Sequence, residues 1–331
     1  MKLQVALENW PYKVPFRVSR GAEATLDVVV VSLTDADGIV GRGEAAGVDY
    51  DGETAALMCA QIEAFRADVE AGIDFKALAT RLPPGGARNA LDCALWDLTA
   101  RRRGISVWEL AGFPKPQPLI TAVTLGIDTD EATRAGATHY RNWPRLKVKV
   151  DHERHIEVIR LVHEAAPGAG IMVDPNQSWS CELLNRLAPE LHALGVVLIE
   201  QPVARGQDET LEMYTGKIHL AADESLADRS NLQAIRGFYQ VVNIKLDKTG
   251  GLTEALALAR DARKLGLAIM VGCMAGTSLA MAPGMVVGQM AEFIDLDGPL
   301  LHTEDRSPGI EYDHGRMQLP PAALWGGLES H

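Results

Sequence analysis

Three acidic residues in the second half of the chain each stand at the end of a short apolar run. Asp174 closes IMVD, Glu200 closes VVLIE, and Asp223 follows HLAA. Three carboxylates brought to one point would repel one another and take up protons unless a cation neutralised them. Oxygen-only ligands favour Mg²⁺ or Mn²⁺ over zinc. One such acid alone would be read as an exposed cap or a loop salt bridge, but three in the same position predict a metal site.

Three lysines stand at comparable places. Lys147 and Lys149 lie in LKVKV, and Lys245 lies in VVNIKLD. Residues two apart on a strand point to the same side, so Lys147 and Lys149 are expected to face one way together. A lysine beside a bound cation is expected to have a lowered pKa, which suits a base that works near neutral pH. The alternative role for one such lysine is a structural counter-ion for the carboxylates.

The apolar runs recur with a period of about 24 residues, and segments with a helical pattern, such as 152–165 and 252–265, separate them. Strand–helix units at this period predict an eight-stranded β/α barrel, whose strands place their carboxyl-terminal residues around one site. A solenoid would repeat residue identities, which these units do not, and a doubly wound sheet rarely needs eight similar units. The eight runs close at Thr124, Lys149, Asp174, Glu200, Asp223, Lys245, Cys273 and Asp295.

The order of the strands sets which residues face each other. Lys149 belongs to the second strand and Lys245 to the sixth, so they stand across the ring, where one could remove a proton from a carbon and the other return one to its opposite face. The eighth strand ends in Asp295-Leu-Asp297. These two carboxylates suit a cationic group such as an ammonium. They suit a cap for a helix starting at Gly298 equally well.

The composition of the chain limits the classes of molecule that it is expected to bind. The chain has 331 residues, 47% hydrophobic and 23% charged, with 44 acidic and 32 basic side chains and a net charge of −12. This balance argues against nucleic acid and anionic membrane surfaces as partners. The uncharged stretch 265–291 contains several glycines and Pro283, which favours a buried strand and helix over a membrane span. Four dispersed cysteines and no secretory signal favour a reduced, cytoplasmic location.

The N-terminal third of the chain lacks the repeating strand–helix pattern. Residues 27–34 and 39–43 flank a turn sequence and predict a hairpin. Helical patterns follow over 53–71 and 87–103, and the second ends at Gly104. The proline-rich stretch 112–118 predicts a linker, since proline cannot continue a helix. Gly41-Arg-Gly lies within the hairpin and has no helix directly after it, so it is a poor nucleotide-binding motif.

The combined motifs resemble those of the enolase superfamily, in its muconate-lactonizing subgroup, and most closely those of the dipeptide epimerases. This resemblance implies a (β/α)7β modified TIM barrel with an α+β capping domain. The capping domain would comprise residues 1–115, the barrel 116–306, and a C-terminal segment, 307–331, would return to the capping domain. The motifs are Lys147-Val-Lys149, Val173-Asp-Pro-Asn176, Ile199-Glu-Gln-Pro202, Ala222-Asp-Glu-Ser225, the segment from Asn243 to Gly251, and Asp295-Leu-Asp297.

The resemblance also implies roles for individual residues. Lys149 and Lys245 would be the two catalytic bases, working on the (R) and (S) centres, and lysine bases beside magnesium are an established pattern of this superfamily. Lys147 would assist the carboxylate that the metal binds. The remaining implied roles are Mg²⁺ ligands for Asp174, Glu200 and Asp223, an ammonium site for Asp295 and Asp297, substrate contacts for Thr124 and Cys273, and a site for a substrate side-chain carboxylate at Arg20.

The function implied is Mg²⁺-dependent epimerisation of the C-terminal residue of a dipeptide through an enediolate, with L-Ala-L/D-Glu as the leading substrate. The alternatives are a dipeptide epimerase of other specificity, an N-acylamino acid racemase, an o-succinylbenzoate synthase or a cycloisomerase. Asp295-Leu-Asp297 argues against the last three, whose substrates lack a free ammonium. The small residues Ala275 and Gly276 leave side-chain specificity open. A homo-oligomer is expected by analogy with other barrel enzymes.

Overall fold

The N-terminal strands form an antiparallel sheet of three. The computed structural model of the protein describes residues 1–18 and 21–327. The first two strands pair from Lys2 opposite Thr34 to Val18 opposite Gly21, with an irregularity between Pro11 and Phe16. The predicted hairpin is confirmed, since the second and third strands pair around a turn in which Gly38 has φ of 81°. The strands are β1 (Lys2–Val18), β2 (Gly21–Thr34) and β3 (Val40–Ala45).

Helices pack on one face of this sheet. The first predicted helix is divided at Phe65, and Thr54 caps its start by accepting a hydrogen bond from the backbone N–H of Leu57. The second ends as expected at Gly104, which has the left-handed conformation. Residues 113–118 contain neither helix nor strand. The helices are α1 (Ala55–Ala64), α2 (Arg66–Glu70), α3 (Phe75–Arg81), α4 (Gly86–Arg103) and α5 (Val107–Ala111), and a short strand, β4 (Leu119–Ile120), follows the linker.

Two glycines of β3 allow α4 to approach closely. A Cβ on Gly41 would lie 2.4 Å from the carbonyl oxygen of Ala94, and one on Gly43 would lie 2.2 Å from that of Ala90. Any larger residue would push the helix off the sheet. The glycine pattern of this strand is therefore explained by packing.

The second part of the chain forms a parallel sheet of eight strands in sequential order. The first and last strands are joined by a hydrogen bond from the backbone N–H of Ala122 to the carbonyl oxygen of Ile294, at 2.9 Å. The predicted barrel is thus confirmed. Its strands are β5 (Val123–Leu125), β6 (Arg145–Lys149), β7 (Gly170–Asp174), β8 (Val196–Glu200), β9 (His219–Ala222), β10 (Val241–Lys245), β11 (Ala268–Gly272) and β12 (Phe293–Ile294).

Helices separate most of these strands. Between β8 and β9 a 3₁₀ segment, 208–213, takes the place of an α-helix. The uncharged stretch 265–291 forms β11 and the helix after it, as predicted. No helix in the described part of the chain is long and apolar enough to cross a membrane. The helices are α6 (Asp130–His139), α7 (Ile156–Ala165), α8 (Cys181–Ala193), α9 (Leu232–Ile235), α10 (Leu246–Thr249), α11 (Leu252–Lys264), α12 (Ser278–Gly288) and α13 (Gly298–Leu301).

The barrel interior is apolar at one end and polar at the other. Outward residues such as Leu146 and Val148 pack against the helices, while their neighbours Lys147 and Lys149 face inward. Apolar side chains fill the amino-terminal end of the barrel, and the polar side chains lie at the carboxyl ends of the strands. The filling cluster consists of Ala122, Met172, Leu198, Ala221, Val241 and Met270, all buried.

The C-terminal segment contacts both parts of the chain. Its short strands β13 (Tyr312–Asp313) and β14 (Arg316–Met317) form a small sheet with β4. Further on, the Trp325 indole donates a hydrogen bond to the carbonyl oxygen of Cys93 in α4, at 3.1 Å. The backbone N–H of Gly326 donates to Asp97 of the same helix, at 2.8 Å.

Candidate active site

A cavity of about 410 Å³ lies at the carboxyl ends of the barrel strands, under residues of the capping sheet. Barrel residues form its floor and one wall, and the segment from Ala46 to Tyr50, together with Tyr12 and Glu23, covers it from the capping side. The predicted residues that line it are Thr124, Lys147, Lys149, Asp223, Lys245, Cys273, Asp295 and Asp297.

The three predicted metal ligands lie on adjacent strands and are almost completely buried. Asp174, Glu200 and Asp223 are each at most 1% exposed. The ammonium of Lys147 lies among acidic groups, 2.7 Å from Glu200 Oε2, 3.2 Å from Asp174 Oδ2 and 2.7 Å from Asp295 Oδ2. One ammonium therefore bridges the central carboxylates and the acidic pair at the eighth strand.

The other two lysines approach the carboxylates from opposite sides of the ring. Lys149 Nζ lies 2.5 Å from Asp174 Oδ2 and 3.0 Å from Asn176 Oδ1. Lys245 Nζ lies 2.7 Å from Asp223 Oδ2. Since Lys149 ends the second strand and Lys245 the sixth, a substrate carbon held between them would meet one ammonium on each face.

Burial and charge shift the pKa values of these acids in different directions. Burial raises the pKa of Asp174, but the ammoniums of Lys149 and Lys147 outweigh burial and lower it to about 2. Burial, together with the charge of Asp174, raises the pKa of Glu200 to about 7. At Asp223 the ammoniums of Lys245 and Lys248 overcome burial and bring the pKa well below its usual value.

The protein's own acidic groups act on the pKa values of Lys245 and Lys147 in the direction opposite to that expected for a bound cation. Burial lowers the pKa of Lys245, but the charges of Asp223 and Glu200 outweigh burial and raise it well above the usual value. The same balance raises the pKa of Lys147. A bound cation would lower these pKa values, whereas the salt bridges to the carboxylates raise them.

The donor set fits a hard divalent cation. Its members are buried carboxylate oxygens from three neighbouring strands, and oxygen donors of this kind suit Mg²⁺ or Mn²⁺. Within residues 1–18 and 21–327, no three acidic, histidine or cysteine side chains are already arranged around a metal position. The Lys147 ammonium lies among the carboxylates, so a cation would have to replace its contacts.

The acidic pair at the eighth strand lies across the cavity. Asp297 accepts a hydrogen bond from the backbone N–H of Thr124, at 2.6 Å. Its side chain makes no capping bond to α13, so the helix-cap alternative is wrong. Burial, and the charge of Asp295, raise the pKa of Asp297 to about 7. A cationic group bound between the two acids would stabilise the charged form of Asp297 and so offset the burial and the repulsion from Asp295.

Several residues that shape this site have no role predicted from the sequence. Asp247, buried in the first turn of α10, accepts hydrogen bonds from the backbone N–H groups of Ala46 and Gly47, at 3.2 and 3.0 Å. Gln201 accepts a hydrogen bond from the backbone N–H of Asp223, at 2.9 Å. Gln201 has φ of 36°, a conformation uncommon for residues other than glycine. Both residues fix elements that carry cavity-lining groups.

Arg20, predicted to bind a substrate side-chain carboxylate, lies outside the described residues. Its neighbour in sequence, Glu23, lines the capping side of the cavity. Cys273 lines the cavity next to Ala275, which has φ of 75°. Burial raises the pKa of the Cys273 thiol to about 12, which makes it a wall residue and a poor nucleophile.

Comparisons with known proteins agree with this architecture. Residues 1–112 match the "Mandelate racemase / muconate lactonizing enzyme, N-terminal domain", and residues 129–324 match the "Enolase C-terminal domain-like" family. The L-Ala-D/L-Glu epimerase of Escherichia coli is 41% identical over 96% of this chain and 99% of the relative. An N-acetyl-D-glutamate racemase from a Pseudoalteromonas species is 44% identical over 78% of this chain and 82% of the relative.

Solved structures give the same result. An enolase family member from Agrobacterium tumefaciens with homology to dipeptide epimerases, bound to sodium and L-Ala-L-Glu, has a TM-score of 0.95 and 39% identity, and the match covers 98% of this chain and 99% of that one. A dipeptide epimerase from Methylococcus capsulatus, complexed with Mg and L-Arg-D-Lys, has a TM-score of 0.90 and 32% identity, over 99% of each chain. The chain therefore belongs to the enolase superfamily, in the mandelate racemase and muconate lactonizing enzyme group that includes the dipeptide epimerases.

Proposed function

We propose that the protein is a Mg²⁺-dependent epimerase that inverts the α-carbon of the C-terminal residue of a dipeptide, with L-Ala-L/D-Glu as the leading substrate. The observation that carries the proposal is the placement of Lys149 and Lys245 on opposite sides of one cavity that also contains the Asp295–Asp297 pair. The names of the relatives from E. coli and M. capsulatus support the same reaction.

The metal would be held by Asp174, Glu200 and Asp223. When bound, it would polarise the carboxylate of the substrate and stabilise the negative charge that develops as the α-proton leaves. The low acidity of this proton, which lies next to a carboxylate, is the main barrier to the reaction, and positive charge at the carboxylate oxygens lowers that barrier. Lys147, which contacts two of the three acids, is placed to donate a hydrogen bond to the same substrate carboxylate.

The two remaining lysines move the proton. In one direction the Lys149 amine accepts the α-proton of the (R) centre while the Lys245 ammonium donates a proton to the opposite face. In the other direction the roles exchange for the (S) centre. Each lysine must be neutral in one direction and charged in the other, and each has a carboxylate oxygen within 2.7 Å of its Nζ. Proton transfer by a positioned base of this kind contributes about 10²- to 10⁴-fold in rate.

Asp295 and Asp297 would bind the free ammonium of the dipeptide. Thr124 and Cys273 would line the same part of the cavity, and Arg20 would bind the side-chain carboxylate of the glutamate. We also propose a homo-oligomer and a cytoplasmic location, the latter because the cysteines at 59, 93, 181 and 273 are all free thiols. The domain division at residues 115 and 306 is part of the same proposal.

The experiment that tests this function is incubation of the protein with a dipeptide library in D₂O, with and without Mg²⁺. We expect L-Ala-L-Glu to gain deuterium at the glutamate α-carbon and to convert to L-Ala-D-Glu, only with metal. A variant with both Lys149→Met and Lys245→Met should do neither. The matched control is Lys264→Met, which removes an exposed lysine paired with Asp261 on α11. Unchanged stereochemistry and no deuterium in any dipeptide would refute the proposal.

A second candidate is racemisation of an N-acylated glutamate, favoured by the 44% identity to the N-acetyl-D-glutamate racemase. Such a substrate has no ammonium, and the pKa of Asp297, about 7, would let that acid bind a neutral acyl group in its protonated form. Comparing kcat/KM for L-Ala-L-Glu and N-acetyl-L-glutamate decides between them. The two carboxylates favour the dipeptide, because the one ammonium beside them, that of Lys147, does not balance both charges and the acylated substrate would add no second cation.

A further inference from the structure

The oxygens of Asp223 are divided between two lysines. Lys245, which faces the cavity, binds Oδ2 at 2.7 Å. Lys248 binds Oδ1 at 2.6 Å from the other side. Lys248 also donates to the backbone carbonyl oxygens of Asp223 and Asn243, at 2.6 and 3.1 Å, so three acceptors hold its ammonium in place. Lys248 does not line the catalytic cavity, and its side chain is 4% exposed.

The other two acids show the same division. Glu200 Oε2 is bound by Lys147, while Oε1 accepts a hydrogen bond from the Asn243 side-chain amide, at 2.8 Å. Asp174 Oδ2 is bound by Lys149, while Oδ1 accepts from the backbone N–H of Asn176, at 2.9 Å. In each acid, a cavity lysine holds one oxygen and a group outside the catalytic cavity or a backbone N–H holds the other.

The position of Asn243 is built into the barrel. Asn243 is completely buried on β10, and a Cβ on Gly272 of the neighbouring strand would lie 2.7 Å from its Oδ1. That Oδ1 has no hydrogen-bond partner among the described protein groups, so the amide is oriented by its contact with Glu200. A buried polar side chain that satisfies only one of its two groups is costly for the fold, which points to a role outside stability.

We infer that Asn243 and Lys248 are positioning residues for the metal site. Asn243 fixes Oε1 of Glu200 and Lys248 fixes Oδ1 of Asp223, so each carboxylate presents a single oxygen, Oε2 and Oδ2, to the cation. The inference rests on the proposed function, since it requires these acids to be the ligands. Outer contacts of this kind orient metal ligands, and their loss typically lowers metal affinity by about 10- to 100-fold.

Asn243 is neutral and Lys248 is charged, so their replacement separates the effect of carboxylate orientation on Mg²⁺ affinity from the effect of charge. Asn243→Leu changes no charge and keeps a similar volume, so its effect on Mg²⁺ binding reports orientation. Lys248→Met removes a positive charge close to the site. Coulomb attraction alone would then tighten Mg²⁺ binding, whereas loss of the fixed Oδ1 weakens it.

The test is calorimetric titration of the full-length protein with Mg²⁺ in the absence of substrate. We expect both Asn243→Leu and Lys248→Met to raise the Kd for Mg²⁺ by about 10- to 100-fold. The matched control is Arg88→Met. Arg88 is buried and donates hydrogen bonds to the carbonyl oxygens of Thr249 and Gly250 at the end of the helix that carries Lys248, but contacts no predicted ligand. It should lower stability and leave the Kd within about 3-fold of wild type.

Three results would overturn the inference: a Kd for Asn243→Leu equal to that of wild type, tighter binding by Lys248→Met, or equal weakening by Arg88→Met. Failure of the proposed function looks different. In that case wild type binds no Mg²⁺, or Asp223→Asn binds it as tightly as wild type. Circular dichroism identifies a variant that has not folded, and the second positioning variant then decides the matter, because it acts on a different carboxylate.

Discussion

Replacement of Asp247 tests how the capping segment is held over the cavity. The carboxylate of Asp247 accepts hydrogen bonds from the backbone N–H groups of Ala46 and Gly47, and the segment from Ala46 to Tyr50 lines the cavity. In Asp247→Ala the buried N–H of Gly47 and the half-buried N–H of Ala46 lose their acceptor, at about 1–3 kcal/mol each. In Asp247→Asn the side-chain oxygen remains, so the bonds can persist. We therefore expect Asp247→Ala to lose about 2–6 kcal/mol of unfolding free energy and Asp247→Asn to lose much less.

The same residue gives stability a defined pH dependence. Burial, opposed by the backbone hydrogen bond from Gly47, raises the pKa of Asp247 to about 7, from an ordinary value of 3.8. Below about pH 4 the carboxyl is protonated in both folded and unfolded states, so it contributes no pH dependence there. As pH rises towards 7 the unfolded chain loses this proton and the folded chain keeps it, so folding is progressively disfavoured. A pKa rise of this size corresponds to about 4 kcal/mol, fully reached above pH 7.

The assay is urea denaturation of wild type, Asp247→Asn and Asp247→Ala at pH 5 and pH 8, with the KM for the dipeptide measured at pH 8. Relative to wild type, Asp247→Asn should gain stability between pH 5 and pH 8, because its amide does not titrate. Asp247→Ala should also raise the KM, since the segment over the cavity loses its attachment. Equal losses of stability and equal KM values in the two variants would refute the reasoning, because the retained oxygen would then have no effect.

Two further predictions concern the site, and a third concerns the buried ion pair between Glu44 and Arg306. Lys245→Met should reduce epimerisation by at least about 10²-fold while α-proton exchange into D₂O continues from the (R) epimer alone; exchange from both epimers would contradict the opposed-lysine geometry. Asp297→Asn should raise the KM for dipeptides with a free amine by about 10-fold or more, as expected for the loss of a charge-assisted hydrogen bond of about 1.5–3 kcal/mol. The KM for N-acetylated substrates should not change. Equal KM changes for both kinds of substrate would count against the ammonium site. Glu44→Gln should lower the unfolding free energy by about 3–5 kcal/mol, measured by urea denaturation. The reason is that buried Glu44 binds Arg306 at 2.6 Å and accepts a hydrogen bond from the backbone N–H of Thr277 at 2.7 Å. Wild-type stability in this variant would show that the ion pair makes no net contribution to folding.

The strand ends were predictable from the sequence for a simple reason. A parallel strand that is buried on both faces has a short apolar sequence. The polar residue that ends this sequence marks the point where the strand reaches the solvent-accessible cavity. Asp174, Glu200 and Lys245 each end a strand of the structure as predicted. The helices were less well bounded, since nothing in the pattern of residues 53–71 indicates the break at Phe65.

Contacts between distant segments were not predictable in this way. The bonds from Asp247 to the capping segment join residues about 200 positions apart. Asn243 and Lys248 were part of a recognised motif, but nothing in their spacing shows which carboxylate oxygen each would bind. Likewise, the lysine pKa values depend on the salt bridges in the folded site, and a single sequence does not specify their lengths. The glycine at position 272 carried a signal, because a strand glycine often marks a crowded neighbour.

The hydrogen bond from Ala122 to Ile294 closes the barrel, and it has a consequence for synthesis of the chain. Its two residues are 172 positions apart, so the ring cannot close until the last strand has left the ribosome. At about 5–20 residues per second, the earlier strands wait on the order of ten seconds with unpaired edges. Helix α4 waits longer for its contacts, because Trp325 and Gly326 are synthesised more than 200 residues after it. We therefore predict that a chain ending at residue 321 aggregates, because it lacks Trp325 and Gly326, even though it contains every residue that lines the catalytic cavity.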